Sequence, residues 1–375
     1  MNQNRQEYFS NLLNEARQAA LSGDTTAALE KFTEVYQLAK MSDRDIIKAN
    51  AAGNLANVYL MRGEVEQCFF LYEEALEIYE RLEERLHAAR TRMNLSNLHR
   101  QQGRTDLAMS LLKQARSEFR DLNLPIYEAT ALTNYAVVMI ETGLFQKADP
   151  ALAEAIELFE NAGEHDQSCN TRMTYARILL EMDQFDKAYD MIQVALEIIH
   201  RQQNRREEGV ALGVLGEYYT KKQQYSEAIA TYEEALQLNR ETNNPRFEAA
   251  VLLALGELQF ELGAYEESKK LVEQSLPYYQ QLQDPRSECG AMQALARANW
   301  KLGDLDTAYH HAHRSMELAR NVNDVRMEAH SLEILGHIEI ELSETEIAKE
   351  YYRGALELFR KVKDISSIER IEALL

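Results

Sequence analysis

A chain of 375 residues that is 45% hydrophobic, with only 15 Gly and 5 Pro, can bury a large core but has too few turn formers for a many-stranded fold, so its composition points to an all-α protein. Its formal charge of -20 repels phosphate backbones and anionic bilayers, which argues against nucleic acid and membranes as partners. No apolar run approaches membrane-span length and the N-terminal residues lack a signal-peptide core. Cys68, Cys169 and Cys289 stand far apart, a pattern that suits a reduced, cytoplasmic protein better than a disulfide framework.

In chain order, residues 1–8 precede any periodic pattern and read as an N-terminal extension. From residue 9 to residue 368 a forty-residue period governs the sequence. Gly23, Gly63, Gly103 and Gly143 mark a turn at that spacing; the register passes through Asp183 and Gln223, resumes at Gly263 and Gly303 and ends at Ser343. Three rows of small residues hold the same phase. One lies seven residues before the turn (Ala16, Ala56, Ser96, Ala136, Ala176, Gly216, Gly256, Ala296, Gly336). Another lies five after it, from Cys68 and Ala108 to Ala348, and the third twelve after it, from Ala75 and Ala115 to Ala355. Small residues in fixed register predict helices that cross closely at fixed points.

Each unit therefore reads as two antiparallel helices around a tight turn, giving nine pairs and a helical tail over 369–375. In the second unit Ala52, Leu55, Ala56 and Tyr59 form the apolar face of the first helix, and Phe69, Tyr72, Ala75 and Leu76 that of the second. Asn244 and Asp284, each before a proline, and Asp324 are expected to cap the helices that follow. Pro150 and Pro277 fall inside second helices and are expected to bend them. Gln tolerates the left-handed conformation less well than Asp or Asn, so the turn at Gln223 is expected to differ.

The stretch from Ala52 to Gly63, with Cys68, Tyr72 and Ala75 behind it, resembles a tetratricopeptide repeat. The resemblance covers residues 9–368, in a long form similar to that of cell-polarity adaptors, kinesin light chains and bacterial peptide-pheromone receptors. It implies one right-handed superhelical solenoid whose first helices line a concave groove, and a binding role rather than catalysis.

Candidate ligand contacts follow from the non-core positions of the first helices. Asn54, Asn57, Asn94, Asn97 and Asn134 recur in phase, with Arg90, Arg100 and Arg177 on the same stripe or beside it. An asparagine both donates and accepts, so a row of them can grip a peptide backbone whatever its side chains; the alternative is that Asn merely belongs to the repeat pattern. The third unit, residues 89–128, is a basic island of net charge +3 suited to an acidic segment or a terminal carboxylate, unless its arginines face solvent. Phe260, Trp300 and Ile340 share one repeat position, where Trp300 is either an interface anchor or core. His310, His311 and His313, and the pair His330 and His337 with Glu333 between, match no compact metal motif, so no metal or cofactor is expected. Phosphate-binding, hydrolase and zinc-protease motifs are lacking, and no enzyme is expected. Three functions remain: a scaffold or adaptor holding a peptide segment of a partner protein, a regulatory peptide or effector sensor, and a self-assembling structural scaffold. A monomer or weak homo-oligomer is expected.

Overall fold

The computed structural model describes residues 2–42, 44–282 and 284–375, and all regular structure among them is helical. Two compact units emerge, residues 1–164 and 165–375. The first holds the pairs α1 (Asn2–Leu21) with α2 (Thr25–Met41), α3 (Asp45–Met61) with α4 (Val65–Arg81), α5 (Arg85–Gln101) with α6 (Thr105–Asp121), and α7 (Pro125–Glu141) with α8 (Phe145–Asn161). The second holds α9 (His165–Glu181) with α10 (Phe185–Gln202), α11 (Arg205–Lys221) with α12 (Tyr225–Glu241), and α13 (Pro245–Glu261) with α14 (Tyr265–Gln281). It continues with α15 (Pro285–Leu302) and α16 (Leu305–Asn321), then α17 (Val325–Glu341) and α18 (Thr345–Val362), and closes with the short α19 (Ile365–Glu372). Helix α1 thus begins ahead of residue 9, and α19 ends within the expected tail.

Within the forty-residue unit lies a shorter step. Most helices are 17 residues long and are joined to the next by three residues, or by two where the helix runs to 18. The middle connecting residue is left-handed both inside a unit (Gly103, φ 70°) and between units (Glu83, φ 56°; Asn123, φ 56°). Its N–H reaches the carbonyl three residues back and the following N–H the carbonyl five back, as in Gly103 to Arg100 (2.9 Å) and Arg104 to His99 (2.8 Å). The turn at Gln223, at φ 59°, makes the same pair of bonds, Gln223 N–H to Thr220 and Gln224 N–H to Tyr219 (both 2.9 Å). The different turn expected there is not found: satisfying two orphan carbonyls outweighs the modest cost of a left-handed non-glycine residue.

Asp284 and Asp324 cap their helices through Ser287 N (3.1 Å) and Met327 N (3.1 Å). Asn244 stands at the cap position of α13, but its side chain does not cap. Its amide donates to the buried Asn239 (3.1 Å) and its oxygen accepts from Arg206 (3.4 Å), so the expected cap is replaced by a link between helices. Helices α8 and α14 run on through Pro150 and Pro277.

The three small rows form the floor of the packing. Ala56, Ser96, Ala136 and Ala176, like Cys68, Ala108, Ala148 and Ala188, and Ala75, Ala115, Ala155 and Ala195, are wholly buried. Large rings fill the space they leave: Phe32, Tyr72 and Phe119 in the first unit, Tyr232, Tyr352 and Phe359 in the second. Where a ring presses closest, the row gives up even its methyl. A Cβ on Gly216 would stand 2.4 Å from the Tyr232 ring, and one on Gly336 2.4 Å from the Tyr352 ring.

Candidate peptide-binding groove

In the first unit the candidate residues lie on α3, α5 and α7. Asn54, Asn94, Asn97 and Asn134 are half-buried, and Asn57 and Arg90 are exposed. The Asn54 amide donates to the Asn50 carbonyl one turn earlier (2.7 Å). The Asn57 side-chain oxygen accepts from the Tyr72 hydroxyl, and that of Asn50 accepts from Tyr79 (2.8 Å). A buried phenol needs a polar partner at its tip, and the asparagines on the facing helix provide it. Burial pushes the Tyr72 hydroxyl well above its ordinary pKa, and a hydrogen bond with Asn94 opposes the rise only in part. Part of the asparagine pattern is therefore structural.

The basic island is largely engaged within the fold. Arg92 meets Glu80 (2.6 Å), Arg100 meets Glu141 (2.6 Å), Arg116 meets Glu154 (2.7 Å) and Arg120 meets Glu128 (2.7 Å). Its other three cations sit over rings, Arg104 over Phe69 (5.7 Å), Lys113 over Tyr135 (5.5 Å) and Arg90 over Tyr127 (5.8 Å). Arg90 and Asn94 come together with Thr130 along a groove of about 460 Å3 between α5 and the start of α7, whose apolar lining includes Met93, Leu124, Ile126 and Tyr127.

In the second unit the exposed Arg177 grips Glu217 with two guanidinium nitrogens (Nη2 at 2.9 Å, Nε at 3.1 Å). Arg297 pairs with Glu257 (3.1 Å) and lies over Phe260 (5.0 Å). Burial raises the Glu257 carboxyl, and Arg297 counters it. Trp300 is half-buried, stacked on His337 (5.0 Å, 10°) and covered by Lys301 (3.7 Å). Its π surface is already engaged, so it is neither a free anchor nor full core; Ile340, at the same repeat position, is 45% exposed.

His337 also meets Tyr352 (2.9 Å) and, like His330, faces Glu333 on α17. Glu333 takes a bidentate bond from Arg370 of α19 (2.6 and 2.9 Å). Sequence reasoning missed the tyrosines that hold the asparagines, and Tyr127 and Thr130 beside Arg90. The ion pairs were signalled by opposite charges forty residues apart, as in Arg177 with Glu217 and Glu257 with Arg297.

The sequence matches the tetratricopeptide repeat at residues 47–117, 127–199 and 207–281, and again at 329–361, together more than half of the chain. Among solved structures it is similar in fold to a Rap protein complexed with competence and sporulation factor, at 15% identity and a TM-score of 0.64, covering 96% of this chain and 99% of that one. It is similar also to the apo quorum sensor NprR from B. thuringiensis (17% identity, TM-score 0.58, 94% and 99% covered) and to apo RapI (14%, 0.58, 74% and 99%). No curated protein matches the sequence. The repeat matches, the fold neighbours and the buried rows of small residues agree, and the chain belongs to the tetratricopeptide repeat family.

Proposed function

We propose that this chain is a non-enzymatic scaffold that holds an extended peptide segment of a partner protein along the first-helix stripe of its first unit. One observation carries the reading: Asn54, Asn94 and Asn134 stand at a single repeat position, all half-buried, and Asn94 lines the groove between α5 and α7. Asn54 commits one amide hydrogen to its own helix and keeps its carbonyl oxygen and second hydrogen for a ligand. A cytoplasmic setting agrees with three buried cysteines that form no disulfide, and among the described residues no helix is long and apolar enough to cross a membrane.

The regulatory-sensor reading stands second, favoured by the near full-length fold match to a Rap protein holding competence and sporulation factor. Both readings place a ligand on the first helices. The test is affinity selection of diazirine-bearing peptides from a degenerate heptapeptide library, followed by cross-linking mass spectrometry on the full chain. Cross-links should fall on α3, α5 and α7. Cross-links confined to α4, α6 and α8 would overturn the assignment of the binding face.

A further inference from the structure

On the second helices of the first unit, charge changes sign from one repeat to the next. Helices α4 and α6 belong to consecutive pairs and run in the same direction. The exposed stripe of α4 holds Glu66, Phe70, Glu73, Glu77 and Glu80; forty residues on, that of α6 holds Asp106, Ser110, Lys113, Ser117 and Arg120. Glu73 thus corresponds to Lys113, and Glu80 to Arg120. Glu80 already meets Arg92, and Arg120 meets Glu128 and Glu154. Glu73 and Lys113 have no ion pair among the described residues, the Lys113 ammonium resting over the Tyr135 ring (5.5 Å). Two large apolar side chains stand on the same faces, Phe70 at 64% exposure and Leu107 at 51%. Phe70 borders a groove of about 420 Å3 whose wall includes Tyr36, Leu55, Tyr59 and Leu71. Gln67, which lines that groove as well, is the repeat equivalent of Leu107.

We infer that the face formed by α4 and α6 binds a second copy of this chain across a two-fold axis. A patch complements itself about a two-fold when one half matches the other, and an acidic helix beside a basic one meets that condition. With the axis between α4 and α6 and parallel to them, α4 of one copy lies over α6 of the other, in the same direction and at the same height. Each residue then faces its own repeat equivalent. Glu73 meets Lys113 of the second copy and Glu80 meets Arg120, each pair occurring twice by symmetry. Leu107 of the second copy comes down at Gln67, one turn from Phe70. The apolar contact therefore gathers at the start of both helices, and the ion pairs follow along them. A net charge of -20 on each copy opposes approach, so the facing pairs fix the register and the association is weak. Only second helices are covered, so the first-helix stripe stays open and the contact is independent of peptide binding.

The experiment is sedimentation velocity of the full chain over a concentration series, for wild type, Glu73→Lys, Lys113→Glu and an equimolar mixture of the two variants. Wild type should pass from monomer to dimer as concentration rises. Either reversal sets like charges against each other at both symmetric positions and should weaken the dimer by about tenfold or more. The mixture should dimerise again, because each facing pair then joins a lysine of one variant to a glutamate of the other. Both positions are exposed, and recovery on mixing is a result that damage to the fold cannot produce. Wild type that stays monomeric throughout, a dimer that either reversal leaves intact, or a mixture that fails to restore it would overturn the proposal.

Discussion

At Gly336 the missing side chain is what lets the Tyr352 ring lie against α17, with its hydroxyl on His337 (2.9 Å). An alanine there gains helix propensity but places its methyl inside van der Waals range of a ring that is 1% exposed. Gly336→Ala is expected to cost about 1–3 kcal/mol through overpacking. Gly53 makes the control: it lies inside α3, and a Cβ there meets nothing within 4 Å. Gly53→Ala is expected to stabilise by about 0.5–1 kcal/mol by restricting the unfolded chain. Urea midpoints should move in opposite directions, and movement of both in one direction would contradict the packing account. The small rows were legible because size at a fixed spacing is a property of sequence. Which members had to be glycine was not, because that depends on where the Tyr232 and Tyr352 rings settle. Likewise Asn57 was legible as part of a polar stripe, but its tie to Tyr72, like that of Asn50 to Tyr79, depends on the reach of side chains from a second helix.

Helix α19 has only eight residues and could not persist alone. It is held by the buried Ile371, by Arg370 gripping Glu333 of α17, and by Glu372 pairing with Arg360 of α18 (2.5 Å). Burial alone would raise the Glu333 carboxyl, but hydrogen bonds with His330, His337 and Arg370 overcome it and hold the group far below the ordinary carboxylate range. A carboxyl depressed in the folded state contributes its full stability above its unfolded value, about 4.3, and loses it as pH falls below that toward the folded value. Glu333→Gln is therefore expected to cost about 1.5–3 kcal/mol at pH 7, with faster amide exchange across α19. The gap between variant and wild type should narrow as pH falls below about 4. A gap that is constant from neutral pH to about pH 3 would show that the carboxylate is not what clamps the helix. Sequence spacing placed His330, Glu333 and His337 together but gave no sign of Arg370, which arrives from the following helix. The twenty-residue step was similarly hidden, because the turns between units use Glu83, Asn123 and Asn243 where those inside units mostly use glycine.

Across the whole molecule the period was the most legible feature, since one register runs from Gly23 to Ser343. The division after residue 164 was not, for the turn at Gly163 has the same left-handed form as its neighbours. The basic island illustrates what a charge count leaves out: four of its seven cations meet carboxylates, and such pairs on the surface add little stability. The proposed binding role therefore rests on the asparagine row rather than on the island's charge. The most direct test is calorimetric titration of one library-selected peptide into wild type and into Asn54→Ala/Asn94→Ala/Asn134→Ala, with melting curves of both. At about 0.5–1.5 kcal/mol for each neutral hydrogen bond, the triple variant should bind tens of fold more weakly and melt close to wild type. Unchanged affinity, or a collapse of the melting temperature before any peptide is added, would contradict the account.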